Sequence, residues 1–548
     1  MKNYKISLIA LLGVLLVGGV VIGKELHVGI GTEPWDLDPA IRTDTASGYL
    51  IENIYDPIIE LDRNREVTTK FALTKEYDWK NNKKTIVLHL REGVKFHDGT
   101  DFTAADVKYN INWQLNPDNS APNAGLLGPI ENVEVVDEHT LRVDFEKPFP
   151  QALMRWSRAL DGIVPEGSHG DRSKEKGAAG FAGTQLSRNP VGTGPFEFVD
   201  WVSGSHITLK KFDDYWVEGV PAVDKAIFDI IPDQSALEAA LISGSVDIID
   251  KLPHKDYSTI KRMPNIETEK MLGTLTEVAY LNLGAPPFGI TKEQVGDQEA
   301  VERALNMRKF LYHAINREEI KEQLFYGMAE IQHGPWYPNS DWTSPKLKQA
   351  GRPYDPELAR QYLEKAGYDK DEKIRIMATK AQWFVDMATI IQEQLRQFGV
   401  SAEVIPVDKA TLFDRLYETF DWEIAIEDWG LNDFTPSSWL WSGYYRNNHN
   451  HNHWHHTSPD LPDNLHETVP GHEKFQEMYD KAVVEPDTQK RKELIWEMEE
   501  MVTDKVIQVD MMYLYNIYAW RSTVKGFGDG LTPMGNLNLA YITEFTGN

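Results

Sequence analysis

The sequence of 548 residues contains no cysteine. This absence excludes disulfide bonds, cysteine nucleophiles and thiolate metal sites, and it also excludes a lipid-modified cysteine behind an N-terminal leader. Basic residues are few relative to acidic ones, 57 against 84, which gives a net charge of -27. Because such a surface repels phosphate backbones and anionic lipids, we expect neither a nucleic acid nor a membrane surface as a partner.

Long apolar runs are missing from the body of the chain, and so are long low-complexity tracts. After residue 24 no apolar stretch is long enough to span a membrane. Apolar residues nevertheless make up 41% of the sequence, so the chain is expected to be globular. Its length exceeds what one compact core organises, which predicts two or three domains.

One long apolar run does occur, at the N-terminus, from Ile6 to Ile22. Lys2 and Lys5 precede it and Lys24 ends it, a pattern typical of a secretory signal peptide. We expect residues 1–23 to be a cleaved signal. An uncleaved anchor is the alternative, because the run approaches spanning length. Either way the body of the protein would lie outside the cytoplasm, in the periplasm or its equivalent.

Short apolar strands alternate with amphipathic helices through much of the chain, most clearly after residue 370. The pattern predicts, in order, a strand at Lys373–Thr379, a helix at Asp386–Phe398, a strand at Ala402–Val407, a helix at Thr411–Tyr417 and a strand at Glu423–Glu427. A βαβαβ series of this kind favours a parallel sheet with right-handed crossovers, so the predicted fold class is α/β.

Capping residues mark the ends of other predicted helices. Ser235 is expected to cap a helix that Gly244 ends, before a strand resumes at Val246. Asp355 is expected to cap another helix, with Pro356 in its first turn.

Parallel sheets bind ligands outside the carboxyl ends of their strands, where helix N-termini direct free N–H groups into a crevice. Two segments are predicted to occupy this position. One is Thr379–Trp383, before the long helix, and the other is Asp428–Trp441, after the third strand of the series.

Five segments together carry a family resemblance. In chain order they are Gly31–Pro34 with Leu37–Pro39, Leu90–Val107, Val191–Trp201, Arg308–Gly327 and Tyr354–Tyr368. From about residue 25 to the C-terminus, the sequence resembles the peptide/nickel class of extracellular solute-binding proteins that serve ABC transporters. Each segment is moderate evidence alone, and five in the family's order are strong evidence.

The resemblance implies a two-lobed periplasmic-binding-protein fold with an extra third domain. The first lobe would collect residues 24–66, 190–279 and 515–548, the extra domain residues 67–189, and the second lobe residues 280–514. The implied mechanism is hinge closure over a small ligand, after which the closed form is recognised by a membrane permease. We expect a monomer without a cofactor.

Tryptophans are concentrated in residues 422–454, which hold five of the 16 in the chain. Indole offers a large rigid face and one N–H donor, suited to stacking on a sugar ring or a peptide side chain. Core packing is the alternative for each tryptophan. The ligand-contact candidates are Trp35, Trp383, Trp429, Trp439 and Trp441.

Asp433 lies in the segment Asp428–Pro436, which is similar to a Trp-Gly-x-x-Asp context of peptide-binding family members. The resemblance implies that this aspartate pairs with the free amine of the ligand, while a turn-capping aspartate is the alternative. Asn432 departs from the family pattern and is a further ligand-contact candidate. This departure and the many tryptophans are also compatible with a sugar ligand. Asp433 would then accept hydrogen bonds from the sugar hydroxyls. We therefore expect an oligopeptide or a related amino compound first, an oligosaccharide second and a nickel chelate third.

The run Asn447–His456 contains five of the 16 histidines. His449, His451 and His453 alternate, so an extended chain would present them on one side as weak candidate ligands for nickel, zinc or copper. A metal-binding or chaperone function built on residues 447–456 is thus an alternative from another class. A solvated Asn/His loop is the interpretation that we favour.

An enzyme, such as a glycoside hydrolase, is the remaining rival. The sequence contains no G-x-S-x-G, H-E-x-x-H or P-loop motif, and no spacing distinguishes a catalytic pair among 84 acidic residues. We expect a binding protein and not an enzyme.

Overall fold

The structure is a computed structural model. It describes residues 24–170, 184–350, 354–430, 435, 436, 440, 444, 471–532, 535 and 537–547. In chain order the strands are β1 (Glu25–Ile30), β2 (Glu60–Leu61), β3 (Val67–Thr68), β4 (Thr74–Lys80), β5 (Thr85–Leu90), β6 (Ile130–Asp137), β7 (Thr140–Phe145), β8 (Phe196–Val202), β9 (His206–Lys211), β10 (Lys225–Ile230), β11 (Ile248–Ile249), β12 (Ile266–Leu281), β13 (Ala329–Ile331), β14 (Lys373–Thr379), β15 (Ser401–Val407), β16 (Ile424–Gly430), β17 (Gln508–Arg521), β18 (Val524–Lys525) and β19 (Glu544–Phe545).

The α-helices alternate with these strands. They are α1 (Thr45–Ile54), α2 (Ala104–Leu115), α3 (Ala152–Ala159), α4 (Gln234–Ser243), α5 (His254–Ile260), α6 (Gln298–Ala314), α7 (Arg317–Phe325), α8 (Pro345–Ala350), α9 (Pro356–Ala366), α10 (Gln382–Arg396), α11 (Lys409–Asp414), α12 (His472–Ala482) and α13 (Thr488–Lys505). Of the helices in the described ranges, none combines the length and the apolar character that crossing a bilayer requires.

A large mixed sheet runs through the molecule in the strand order β15-β14-β16-β12-β17-β11-β1-β10-β9-β8, with β13 also paired to β17. We call β8 to β11 with β1 the first sheet half, and β14 to β16 the second sheet half. The long strands β12 and β17 pair with each other and join the halves, so we call them the crossover strands. The small sheet, in the order β4-β5-β7-β6, stands apart from the large one.

Three large hydrophobic clusters accompany these sheets. The small sheet packs with α2 and α3 around Trp156 and its neighbours. The first sheet half has a core that includes Phe228 and Tyr518. The second sheet half has a core that includes Ile376, Ile426 and Tyr513. The domain boundaries expected above stay a prediction, although each cluster centres on one of the three predicted regions.

The predicted βαβαβ series is confirmed, since β14 pairs in parallel with both β15 and β16. The boundaries of all elements but the first strand differ from the predicted ones by a few residues. Helix α10 begins at Gln382 and not at Asp386. Strand β16 continues to Gly430, because backbone pairing with β12 extends three residues beyond the apolar stretch that predicted it.

Predicted helix caps are confirmed at Gly244 and Asp355 and wrong at Ser235. Gly244 ends α4 with φ of 82°, a left-handed conformation that glycine adopts without strain. The Asp355 carboxylate accepts from the backbone of the first turn of α9. At α4 the cap is Asp233, whose carboxylate accepts from the Ala236 N–H at 2.8 Å, and Ser235 lies inside the helix.

Candidate ligand-binding site

Strand directions locate a crevice at the middle of the large sheet. The first sheet half has β1, β10 and β11 parallel to one another, and β11 runs antiparallel to β17. The second sheet half has β14, β15 and β16 parallel to one another, and β16 runs antiparallel to β12. The crossover strands are antiparallel, and β11 pairs with the C-terminal end of β17 while β16 pairs with the C-terminal end of β12. The two parallel sets therefore point their carboxyl ends at each other across the crossover strands. Both halves thus present their ligand-binding edges to the same space.

The crossover strands are irregular at this midpoint. The pairing of β12 with β17 shifts register between Leu272 and Thr276. Leu275, in the gap, is 46% exposed and pairs with Gly430 at the end of β16. A bulge weakens a ladder locally and bends the strand, so the connection between the halves is least regular beside the crevice.

The first wall of the crevice follows strand β1. The backbone N–H groups of Trp35 and Asp36 donate to the Ser47 hydroxyl at 3.0 and 3.1 Å, which ties this loop to the first turn of α1. The Trp35 side chain is 51% exposed. At the adjoining end of β11, the Asp250 carboxylate accepts from the Gly31 N–H at 3.3 Å. Burial raises the pKa of Asp250 to about 6, against the opposing effect of that hydrogen bond.

The second wall is formed by β16 and β12. Glu277 lies directly opposite Asp428 in the register, so the two side chains share one face of the sheet. Glu427 points to the other face, where its Oε1 lies 3.2 Å from Lys409 Nζ. Glu277 is 1% exposed, and its Oε2 has no hydrogen-bond partner among the described residues.

Burial raises the pKa of Glu277 well above its ordinary value, and the charges of Asp428 and Glu427 raise it further. Burial also raises the pKa of Glu427. The charge of Lys409 lowers this pKa, and the charge of Asp428 raises it. The protonated form of Glu277 can donate as well as accept a hydrogen bond. A positive charge beside Glu277 would favour its ionised form, and Asp428 adds a second carboxylate on the same face of the sheet.

The predicted site residues have different outcomes. Trp35 lies at the first wall, as described. Trp383 was expected in a loop, but it occupies the first turn of α10, and its ring packs edge-on against Phe325 at 6.1 Å. The loop expected at Trp429 is also wrong, since its backbone belongs to β16, opposite Thr276. Whether any of the three contacts a ligand stays a prediction.

Other predicted residues lie outside the described part of the chain. They are Asn432, Asp433, Trp439, Trp441, His449, His451 and His453. Their proposed roles therefore stay predictions as well. Within the described ranges, no group of three or more histidine or carboxylate side chains could hold a metal ion.

Sequence reasoning missed Asp250 and Glu277. Each is a single carboxylate beside apolar strand residues, a sequence context that marks buried acids only weakly. Their location became apparent through strand pairing between distant parts of the chain, such as Gly31 with Asp250, which no local pattern reports.

The family model of the bacterial extracellular solute-binding proteins, family 5 (middle region), matches residues 68–451 of this chain. Among individual proteins, the glutathione-binding protein GsiB of Salmonella typhimurium is 27% identical over 386 residues, which cover 70% of each chain.

Solved structures give the same result at the level of fold. The ABC transporter substrate-binding protein CtaP of Listeria monocytogenes superposes with a TM-score of 0.77 at 21% identity, covering 95% of this chain and all of that one (100%). The periplasmic binding protein DppA of Helicobacter pylori, in complex with the peptide STSA, has a TM-score of 0.72 at 22% identity, with 96% and 98% covered. The two-lobed α/β fold predicted from the sequence is thereby confirmed.

Proposed function

Because the chain belongs to the bacterial extracellular solute-binding proteins of family 5, we propose that its ligand is a short peptide or a related amino compound. Members of this family are the substrate-binding components of ABC transporters, so the chain is a binding protein and not an enzyme. It takes up a small ligand outside the cytoplasm and delivers it to a membrane permease.

The observation that carries the proposal is the carboxyl groups on both walls of the crevice. Asp250 lies on the first wall, and Glu277 and Asp428 lie on the second. Such a crevice favours a ligand with an ammonium group, since a charged hydrogen bond to a carboxylate offsets the loss of hydration. Two of the similar proteins, GsiB and DppA, are described with peptide ligands, glutathione and STSA, which also supports an amino compound.

Asp433 is the proposed partner of the ligand amine, with Asn432 as a neighbouring hydrogen-bond donor. Asp433→Ala would leave the ammonium group buried without its counterion, which costs about 2–5 kcal/mol in comparable pairs. We expect peptide affinity to fall at least about tenfold, measured by titration calorimetry. Asp200→Ala, at an exposed position on the edge strand β8, is the matched control and should leave affinity unchanged. A loss below tenfold would reject the amine pairing.

The ligand class is tested directly on the purified protein. Mass spectrometry of the extract from denatured protein should identify peptides or amino compounds that co-purified with it. A thermal-shift screen of peptides and oligosaccharides follows, because a ligand at 100 times its Kd stabilises the folded state by about 2.7 kcal/mol. Stabilisation by sugars and by none of the peptides would reject the proposal.

An oligosaccharide is the second candidate, and the half-exposed indole of Trp35 at the first wall favours it. In that case Asp433 would accept hydroxyl hydrogen bonds, and affinity would depend most on Trp35, Trp383 and Trp429. The same thermal-shift screen distinguishes the two ligand classes.

We also propose that residues 1–23 direct export and that the protein acts as a monomer. N-terminal sequencing of the exported protein should begin near Lys24. Light scattering should give a mass close to that of one chain.

A further inference from the structure

A cavity of about 210 Å³ lies between the small sheet and the second sheet half, and we call it the seam cavity. Trp79 and Met154 line it from the small-sheet side. Trp342 and Ile495 line it from the side of the second sheet half. Its walls therefore come from two separate bodies of the molecule, as expected of a space that forms where they meet.

The size of the seam cavity decides what could occupy it. A cavity of about 150 Å³ accommodates a benzene ring. Pockets that enclose a whole small-molecule ligand start at about 300 Å³. The seam cavity falls between these values, so it suits one side chain or end group of a larger ligand and not the ligand as a whole.

Arg491 lines the same cavity and is 6% exposed. Its guanidinium donates to the Glu485 backbone carbonyl at 2.7 Å and to the Thr488 hydroxyl at 3.5 Å, neither of which carries a charge. Burial lowers the pKa of Arg491, and the charges of Glu485 and Asp487 oppose this effect without reversing it. The buried Nε has no hydrogen-bond partner among the described residues. A buried arginine with a free donor is costly to maintain, and an anion completes its coordination.

A second cation faces Arg491 from the small sheet. Lys83 Nζ lies 4.8 Å from the centre of the Trp79 ring, one wall of the cavity. Burial lowers the pKa of Lys83, and the nearby positive charge of Arg491 lowers it further. Two cations brought together at an apolar cavity are unexpected in a chain with a net charge of -27. Their arrangement favours an anionic group between them.

The seam cavity is linked along the sequence to Asp433, the proposed partner of the ligand amine. Thr435 and Pro436 line it, and Thr435 follows Asp433 by two residues. Two residues of chain span at most about 7 Å between Cα atoms. A ligand the length of a short peptide can therefore reach from one site to the other.

We infer that the seam cavity is a ligand subsite for one apolar side chain adjoining an anionic group, with Arg491 and Lys83 as the cationic partners. This inference rests on the proposed function and specifies its ligand class. A short peptide with an apolar last residue has the required chemistry: the side chain enters between Trp79 and Trp342, and the terminal carboxylate lies at the two cations.

The test uses three synthetic peptides, Ala-Ala-Phe, its C-terminal amide and Ala-Ala-Ser, in titration calorimetry with the full chain. The wild type should bind the free acid at least about tenfold more tightly than the amide, since a buried charged pair contributes at least 1.4 kcal/mol. Arg491→Gln should reduce that ratio to within about threefold. Met154→Trp fills the cavity and should abolish the preference for Phe over Ser.

Two further variants make the test decisive. Lys83→Gln removes the cation beside Trp79 and should also reduce the acid-to-amide ratio, and it decides the question if Arg491→Gln fails to fold. Arg360→Gln, on the exposed face of α9, is the matched control and should keep the wild-type ratio.

The outcomes distinguish failure of the seam-cavity inference from failure of the proposed function. Failure of all three peptides to bind the wild type would overturn the proposed function and this inference with it. Tight binding of acid and amide with equal affinity would overturn the inference alone. An acid-to-amide ratio that persists in the Lys83→Gln variant and in folded Arg491→Gln would also overturn it alone.

Discussion

Asp56 is a buried carboxylate, 2% exposed, at the junction of the first sheet half with the small sheet. The Thr193 hydroxyl and the Trp216 indole N–H donate to its Oδ2, and the Tyr215 hydroxyl donates to its Oδ1, each at 2.9 Å. Three donors from two distant segments thus depend on one side chain. The junction should be sensitive to its replacement.

The expected cost follows from these contacts. Asp56→Ala leaves three buried donors without an acceptor, at about 1–3 kcal/mol each, so the free energy of unfolding should fall by at least about 3 kcal/mol before any charge effect is counted. Asp56→Asn keeps one accepting oxygen for Thr193 and Trp216, and the Tyr215 hydroxyl can rotate to accept from the new amide. Its cost should be about 1 kcal/mol in the absence of any charge effect.

The charge of Asp56 adds a dependence on pH. Burial raises its pKa to about 7, even though the hydrogen bonds from Trp216, Thr193 and Tyr215 favour the ionised form. When the pKa of a carboxyl group is higher in the folded than in the unfolded chain, the folded state becomes less stable as the pH rises, here from about 4 to 7. The difference between a pKa of about 4 and one of about 7 corresponds to about 4 kcal/mol of stability, and Asp56→Asn does not incur this loss. At pH 8 the free energy of unfolding of Asp56→Asn should exceed that of the wild type by about 3 kcal/mol, and this difference should vanish toward pH 4.5.

Urea unfolding followed by tryptophan fluorescence at pH 5 and pH 8 measures these differences. Comparing variants at the same pH cancels the contributions of the other buried acids. The reasoning is refuted if Asp56→Asn is less stable than the wild type at pH 8. Asp56→Ala also lacks the ionisable group, so it is compared with the wild type at pH 5, where little of the cost of ionising Asp56 applies. The reasoning is equally refuted if Asp56→Ala is as stable as the wild type at pH 5.

Three further predictions concern single contacts. Arg65→Ala removes a guanidinium whose Cζ lies 3.6 Å from the centre of the buried Tyr337 ring, and it should lower the free energy of unfolding in urea by about 1 kcal/mol. Gly194→Ala would place a Cβ 2.6 Å from the Ile54 carbonyl carbon, and it should lower the same free energy by about 1–3 kcal/mol, because backbone cannot move aside as a side chain can. Trp35→Ala should weaken ligand binding about 2- to 10-fold in calorimetry through lost stacking.

The two stability variants each have a matched control in the same chain. Arg63→Ala, on the same β2–β3 turn, removes an ion pair with Glu269 that is partly exposed, and it should cost less than Arg65→Ala. The Cβ added by Gly125→Ala has no neighbouring atom within 4 Å, so this variant should leave the free energy of unfolding unchanged, in contrast to Gly194→Ala. Equal effects within either pair, or unaltered binding by Trp35→Ala, would contradict the corresponding argument.

Local patterns predicted the second sheet half well. Alternation at Ile374 and Ile376 and the helical stripe from Met387 to Leu395 are properties of short segments, and burial on one face enforces them. The strand Lys373–Thr379 is found with the predicted ends. The end of β16 was missed because its last residues are held by pairing to β12 and carry no apolar pattern.

The crossover strands show why the remainder could not be predicted. Strands β12 and β17 are 16 and 14 residues long and pair over a separation of more than 200 residues. No local feature of either strand identifies its partner. The opposed strand ends and the wall containing Glu277 both depend on this pairing, so the geometry of the site followed only from the structure.

The central claim is that two sheet halves joined by β12 and β17 close around a ligand and release it unchanged. Because the chain has no cysteine, spin labels can be attached at Glu218→Cys and Glu364→Cys alone, one exposed position beside each half. Electron–electron distance measurement should give a broad distribution without ligand and a shorter, narrower one at saturation, and the recovered ligand should have an unaltered mass. Identical distributions with and without bound ligand would contradict the account.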